Sequence, residues 1–399
     1  MSTKPGKSTT SDDKELRARL IVFRRDLHQH PELSFQETRT AERICKELDR
    51  LGIPYQSGVA HTGVVADIPG RGDDSKKVAL RADIDALPIH EETGLSFASV
   101  NDGVMHACGH DGHTTMVLGA AELLTRDGDL PAPVRLLFQP AEERGAGAKA
   151  MISEGALDNV SMIFGGHVDR HYPTGTIVTH AGAVNASTDS FRIEIRGKGG
   201  HAARPHESVD SVVVGSLLVM ALQTIVSREV NPAYPSVVTV GRFDAGTASN
   251  VIAGRAELEG TIRAQEKSVR DHLVASLERM CDSVSRLHNA EISMSVQKGV
   301  PPVINPPAMA DIARRAASNV VGPDYAVPLH TPNMGGEDFS YYMEKIRGCY
   351  VRLGAREEGR EGYPAHSSKF DFDEAALPIG AKYFYRVAKL AGAILQEES

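Results

Sequence analysis

Apolar positions along this chain follow two different periods. Over residues 11–30, and again over 35–51 in FQETRTAERICKELDRL, they recur at helical spacing. KKVALRADIDALP then carries a continuous apolar run over 78–82 that stops at Asp83, which predicts a buried strand. HTTMVLGAAELLTR predicts a helix, and PVRLLFQPAEE predicts a strand over 134–138 stopped by Pro140. GAGAKAMISEGAL predicts a further helix and VSMIFGGHV a further strand. Helices alternating with continuous apolar strands predict an α/β fold built on a doubly wound, mostly parallel sheet.

The period changes near residue 185. TDSFRIEIRGKGG alternates, with Phe191, Ile193 and Ile195 on one face of a half-exposed strand. A helix over 208–227 follows, then two strands, PSVVTVGRF and RAELEGTIRA, a long helix over 266–288 and a last strand, AEISMSVQK. That order is β-α-β-β-α-β, the ferredoxin-like split unit. After the Pro-rich GVPPVINPP, strand and helix signals resume. The pattern predicts a larger domain in two parts, 1–184 and 302–399, interrupted by a small inserted domain over 185–301.

Composition narrows the function. Of 399 residues, 41% are hydrophobic and 24% charged, with a formal net charge of −8 and no long basic run. Nothing there resembles a nucleic-acid footprint. SVVVGSLLVMALQTIV at 211–226 contains Ser, Gly and Gln and falls short of the roughly 20 apolar residues of a membrane span, so it predicts a buried helix. The polar start, MSTKPGKSTTSDDKELRARL, lacks an apolar signal core and reads as a frayed tail entering a helix near Ser11. Cys45, Cys108, Cys281 and Cys349 are widely spaced without a CxxC pair. They make no disulfide framework, which points to a reducing, cytoplasmic setting. Cys45 and Cys281 fall in helical patterns as buried fillers.

The densest chemistry lies in MHACGHDGHT, residues 105–114. In an open α/β sheet, ligands collect beyond the carboxyl ends of the strands. Asp83, Glu142, Glu143 and His167 fall at such ends, and Cys108 and His110 lie in a loop just before a helix. Cys108 and His110, two apart, can converge from an extended loop; His110 and His113, three apart, can share a helical face and form the rival pair. A cysteine at a helix N-terminus is expected to have a lowered pKa. Adjacent Glu142 and Glu143 suit a division of labour: one ligates, while the other takes a proton from water whose pKa a metal lowers from about 15.7 to about 7. Donors of types S, N, O and N suit zinc first, with manganese, cobalt or nickel as alternatives. Taken singly, Cys108 is packing, the Glu pair a solvated face and His167 a satisfied polar group; their coincidence on one sheet edge is what favours a metal site. His113 reads as structural support, and His28 and His30 as packing or capping groups.

The blocks RRDLHQHPELSFQET, LRADIDALP, MHACGHDGHTTMVLGAA, FQPAEERGAGAKAMI, GKGGHAARPHESVD, SNVIAGRAELEGTIR, MGGEDFSYY and HSSKFDFDE occur in this order. In them the chain resembles the metal-dependent amidohydrolases that include aminoacylases, hippurate hydrolase, N-acetyldiaminopimelate deacetylase and auxin-conjugate hydrolases. The resemblance implies two divalent metal ions per subunit. Cys108 would bridge them, with His110, Glu143, His167 and His366 as the other ligands. Glu142 would be the general base, and Asp83 would orient a ligand from behind. Peptidase relatives place a histidine two residues before this aspartate; here Arg81 stands there, a mark of the acyl-amino-acid branch. The insert resembles the family's lid and dimerisation domain. His201 would stabilise the oxyanion from the partner subunit, and Asn250 and Arg263 would bind the substrate carboxylate. Gly335 and Gly336 would line the substrate pocket. Ala365, before His366, departs from the larger residue frequent in relatives. The expected reaction is hydrolysis of a small N-acyl amino acid by a homodimer or higher oligomer joined through the lid, with no nucleic-acid or membrane partner. The rivals are a dipeptidase or carboxypeptidase using the same metals, and a non-catalytic metal-loaded binding protein.

Overall fold

The computed structural model describes residues 11–72, 74–331 and 333–398, so the polar segment ahead of Ser11 lies outside the described residues. The chain divides into two compact units. The first comprises Met1–Gly182, Asn305–His330 and Tyr341–Ser399; the second comprises Ala183–Ile304 and Thr331–Ser340.

The first unit is built on an eight-stranded sheet. Its order is Tyr55–Val59, Gly63–Ile68, Val134–Gln139, Lys77–Asp83, Val160–Pro173, Arg347–Arg356, Ile177–Val178 and Ala326–Val327. The four central strands, Val134–Gln139 to Arg347–Arg356, run parallel, and antiparallel pairings flank them. Val134–Gln139 is buried at every residue and Lys77–Asp83 at all but its first. That burial is what a continuous apolar run requires: helices on both faces leave no solvent side. The sheet core is shared with Leu20, Phe23, Ile44 and Leu48 of the first two helices and with Phe384, Val387 and Ala391 of the helix Ala376–Glu397.

Register sets the level of the strand ends. Asp83 pairs with Gln139 and Leu80 with Phe164, which puts Asp83, Gln139 and His167 on one edge of the sheet. His167 lies inside its strand rather than just past it. Arg347–Arg356 keeps pairing alongside, with Gly354 opposite Asp169, and carries the strand on to Pro173.

The second unit has four antiparallel strands in the order Ser236–Ala245, Arg255–Ala264, Ser187–Arg196, Glu291–Lys298. The helices Ser211–Thr224 and Lys267–His288 pack on it, with Phe191, Ile193, Ile195, Leu218, Leu222, Leu273 and Leu277 in one core. This is the ferredoxin-like order that the pattern predicted. Among the described residues, Ser211–Glu229 is the helix long and apolar enough to cross a membrane by length and composition alone, with a mean hydropathy of 1.6. The helix is one-sided rather than buried as its composition predicted: Val214, Leu218 and Leu222 pack in this unit's core, while Val212, Val213, Leu217 and Met220 are exposed.

Candidate metal centre

The candidate ligands all lie in the first unit. His110 opens the helix His110–Asp127, with Gly109 before it at φ 88°. A Cβ on Gly109 would meet Val168 Cγ2 at 2.5 Å, so both the backbone and the space demand glycine there. Glu142 and Glu143 follow Ala141, which is also left-handed at φ 52°; the buried Glu37 carboxylate accepts the Ala141 N–H at 3.0 Å. His366 is left-handed too, at φ 68°, and its N–H donates to Ala107 O at 2.8 Å. Ala141 and His366, which carry a Cβ, each cost about 1–2 kcal/mol in backbone strain, which the surrounding hydrogen bonds must offset.

Several overlapping donor groups have ligand atoms within 4.8 Å of one another; those that join the expected ligands and Glu142 are Cys108, His110 and His167; Cys108, Glu143 and His366; and His110, Glu142 and Glu143. Cys108 Sγ is 3.3 Å from His167 Nε2, and His366 Nε2 is 3.4 Å from Glu143 Oε1. The five metal ligands expected from the sequence therefore converge, with Glu142 beside them.

The ring tautomers follow from the hydrogen bonds. His110 Nδ1 donates to Asp85 O at 2.9 Å, and His167 Nδ1 donates to Val168 O at 2.7 Å. Both rings thus keep a proton on Nδ1 and turn Nε2 toward the site, the nitrogen that ligates once it gives up its proton to a cation. His110 Nε2 and Glu143 Oε1 are buried without hydrogen-bond partners and lie 3.9 Å apart, beyond hydrogen-bond reach. A buried imidazole nitrogen and a carboxylate oxygen left facing each other without a hydrogen bond, beside a thiol and two more imidazoles, fit a divalent cation between them.

Electrostatics in the centre are strong. Asp83 is fully buried, yet His110, Arg81 and His113 outweigh that burial and hold its carboxyl well below the usual range. Burial likewise opposes the charged form of His110, but Asp83 and the Asp85 hydrogen bond raise its pKa well above normal. Burial, then His113, pushes His167 down. Cys108 departs from the expectation of a lowered thiol pKa. Burial, then Glu143, pushes it up, because desolvation and a neighbouring carboxylate outweigh one helix terminus. The thiolate needs a cation to offset both. Pairing with Glu143 raises His366 against the effect of burial.

Asp83 is hydrogen-bonded to His113 Nδ1 at 2.6 Å and Arg81 Nη1 at 2.6 Å, while His110 Nε2 is 3.8 Å away. Because Val168 N–H donates to His113 Nε2 at 3.0 Å, His113 links Asp83 to the strand beside His167. The carboxylate that grips the predicted ligands directly is Asp85, which sequence reasoning missed. Its Oδ2 accepts the Glu143 N–H at 3.1 Å and the Ser34 hydroxyl at 2.7 Å, and its Oδ1 lies 3.2 Å from His110 Nδ1. The available signal was the Asp-x-Asp spacing of LRADIDALP, which puts both acids on one side of an extended segment. His106, unassigned by its spacing, is buried with neither ring nitrogen hydrogen-bonded, and burial pushes its pKa down to about 4.

The remaining predicted residues lie in the second unit. His201 is exposed on a two-residue strand opposite Val251, and its Nδ1 accepts the Ala203 N–H at 3.1 Å. Asn250 is exposed next to that pairing, and its carbonyl accepts the Ala202 N–H. Arg263 Nη1 donates to Met334 O at 3.3 Å, and Asn185 Nδ2 donates to Gly335 O at 3.2 Å and to Gly336 O at 3.4 Å.

A parallel α/β sheet whose carboxyl edge gathers a thiol, imidazoles and carboxylates defines a metal-dependent hydrolase. Residues 79–390 match Peptidase family M20/M25/M40, and the chain belongs to that family. It is 41% identical over 382 residues to the N-acetylcysteine deacetylase of Bacillus subtilis (strain 168), covering 94% of this chain and 97% of that one. It is 39% identical over 378 residues to thermostable carboxypeptidase 1 of Saccharolobus solfataricus, covering 93% and 95%. The fold matches the crystal structure of a Bacillus subtilis dinuclear metal binding peptidase of the M20 family with a TM-score of 0.84 at 38% identity, over 96% of this chain and 99% of that one.

Proposed function

We propose that this enzyme hydrolyses the amide bond of N-acyl amino acids, with acetyl, benzoyl or related acyl groups, to a carboxylate and a free amino acid. The observation that carries the reading is the convergence of Cys108, His110, Glu143, His167 and His366 with Glu142 beside them. The 41% identity to a deacetylase of an N-acyl amino acid supports the substrate class. Those five residues would hold two divalent ions, zinc preferred over manganese, cobalt or nickel. When bound, such ions acidify water and polarise a carbonyl oxygen. Glu142 takes the proton from the attacking water, the new C–O bond forms, and Glu142 returns the proton to the departing amine as the C–N bond breaks. Asp85 and Asp83 hold the ligand-bearing segments in place. His201, from a partner subunit, is assigned to the developing oxyanion. Asn250 and Arg263 are assigned to the substrate carboxylate, and Gly335 and Gly336 to the pocket lining.

A homodimer through the second unit fits two of that unit's features. Val213 and Met220 of the Ser211–Thr224 helix are 53% and 67% exposed, and Ser236–Ala245 is an edge strand carrying exposed Val237 and Phe243. A cytoplasmic location goes with the four free cysteines. The second reading, a carboxypeptidase or dipeptidase with the same metals, is favoured by the identity to a thermostable carboxypeptidase.

The test is a hydrolysis screen of N-acetyl, N-benzoyl and N-indoleacetyl amino acids beside dipeptides, with zinc, manganese or cobalt. Acyl amino acids are expected to turn over faster than dipeptides; the reverse order supports the carboxypeptidase reading. Inactivity on every acyl amino acid overturns the substrate class. Glu142→Ala should keep its metal and lose roughly 10²–10⁴-fold in kcat. Parental turnover by that variant overturns the base assignment.

A further inference from the structure

We infer that Arg24 is a positioning residue of the metal centre: it sets the spacing between the segment that carries His110 and the segment that carries His366. The inference rests on the metal-centre reading above.

Arg24 lies on the first helix, Ser11–Gln29, and is 0% exposed. Its Nε donates to Asp111 Oδ2 at 2.8 Å, its Nη2 to Asp371 Oδ1 at 2.9 Å and its Nη1 to Glu374 Oε1 at 3.4 Å. The guanidinium sits 4.3 Å from the ring centre of Phe372 and 5.2 Å from that of Phe97. One side of this fork reaches the start of the metal-site helix. Asp111 follows His110 directly, is fully buried, and accepts the Gly112 N–H at 2.9 Å and His28 Nδ1 at 2.9 Å. The other side reaches the segment just after His366, which Arg25 also holds through Glu374 at 2.7 and 2.9 Å.

Burying a guanidinium fully costs much of its hydration, and such a burial persists only where fixed partners compensate it. Here those partners are three carboxylates on two segments that each bear a candidate ligand. His366 is a left-handed residue in a loop and His110 is the first residue of its helix; besides the His366 N–H to Ala107 O bond at 2.8 Å, the Arg24 fork is a side-chain tie that touches both segments at once. A planar fork with donors in fixed directions ties the two segments at set distances. A lysine ammonium, a point charge on a flexible stem, cannot reach both sides.

The test uses the full-length enzyme and the variants Arg24→Lys, Asp371→Asn and their double. Arg135→Lys serves as control: Arg135 is also buried and pairs with Asp67 through two 2.8 Å bonds at the other end of the sheet. Thermal melts report stability, zinc competition titrations report metal affinity, and the absorption spectrum of the cobalt-loaded protein reports coordination. Arg24→Lys and Asp371→Asn are expected to weaken zinc binding roughly 10–100-fold, alter the cobalt spectrum and combine non-additively. Arg135→Lys should lower the melting temperature and leave zinc affinity unchanged. If Arg24→Lys does not fold, Asp371→Asn alone carries the same readouts. Lower melting temperatures with parental zinc affinity and cobalt spectrum overturn the inference. Cys108→Ser separates the two levels. If it leaves zinc binding unchanged, the metal-centre reading fails and the inference with it. If it abolishes zinc binding while the Arg24 and Asp371 variants do not weaken it, only the inference fails.

Discussion

Asp85→Ala removes the acceptor that holds two candidate ligands at once. Asp85 is 1% exposed; its Oδ2 takes the Ser34 hydroxyl at 2.7 Å and the Glu143 N–H at 3.1 Å. Its Oδ1 is 3.2 Å from His110 Nδ1, which keeps the main-chain carbonyl at 2.9 Å in the variant. Two donors therefore lose their acceptor. The Ser34 hydroxyl can rotate toward another partner; the Glu143 N–H is fixed by the backbone. A buried donor left unpaired costs roughly 1–3 kcal/mol, so the low end for Ser34 and the middle for Glu143 sum to about 3 kcal/mol of lost stability. Asp85→Asn keeps the volume and one acceptor oxygen, but turns an NH₂ toward one of the donors; about half that loss is expected. The functional effect is separate. With Glu143 and the His110 ring both loosened, metal affinity should fall roughly 10–100-fold, the usual consequence of removing a ligand's orienting partner. Urea denaturation in chelator-treated buffer measures the first effect, and zinc competition titration the second. An Asp85→Ala protein within about 0.5 kcal/mol of the parent and with parental zinc affinity would refute the assignment of Asp85 as the residue that orients both ligands.

Gly147→Ala should be severe: a Cβ there would stand 1.6 Å from Pro140 O, forcing apart the turn that carries Glu142 and Glu143. A loss of roughly 1–3 kcal/mol is expected, and a parental melting curve would contradict it. His28 supplies a pH dependence. Burial opposes its charge, but hydrogen bonds to Asp111 and Glu91 raise its pKa. A raised pKa in the folded state contributes stability that is full below the unfolded value of about 6.5 and is lost as pH rises through the folded value. Urea midpoints of parent and His28→Gln should therefore converge as pH rises above that value; a gap that widens reverses the sign. Val213→Asp combined with Met220→Glu, both on the exposed face of their helix, should yield a folded monomer by light scattering. An unchanged oligomer mass would remove that face from the proposed dimer interface.

The amino-acid pattern alone determined the fold class. Each central strand is a continuous apolar run that only a doubly covered sheet can bury, and Val134–Gln139 and Lys77–Asp83 are buried in that way. The alternation of Phe191, Ile193 and Ile195 determined the second unit's inner face in the same way. MHACGHDGHT and the Glu pair were legible as metal chemistry because they lie close together and at predicted strand ends. His366 was legible only through resemblance. It is far from the other donors in sequence, and the left-handed turn that aims it has no local composition signal. Only the tertiary structure decided which groups orient the donors. Asp85, Glu37 and Arg24 act through hydrogen bonds to residues 58, 104 and 87 positions away in sequence, and no local period encodes such a pairing. The Cys108 thiol makes the same point. Its helix terminus, visible in sequence, argues for a lowered pKa, whereas the packed fold raises it. Desolvation and a neighbouring carboxylate are properties of surroundings that the chain assembles only on folding.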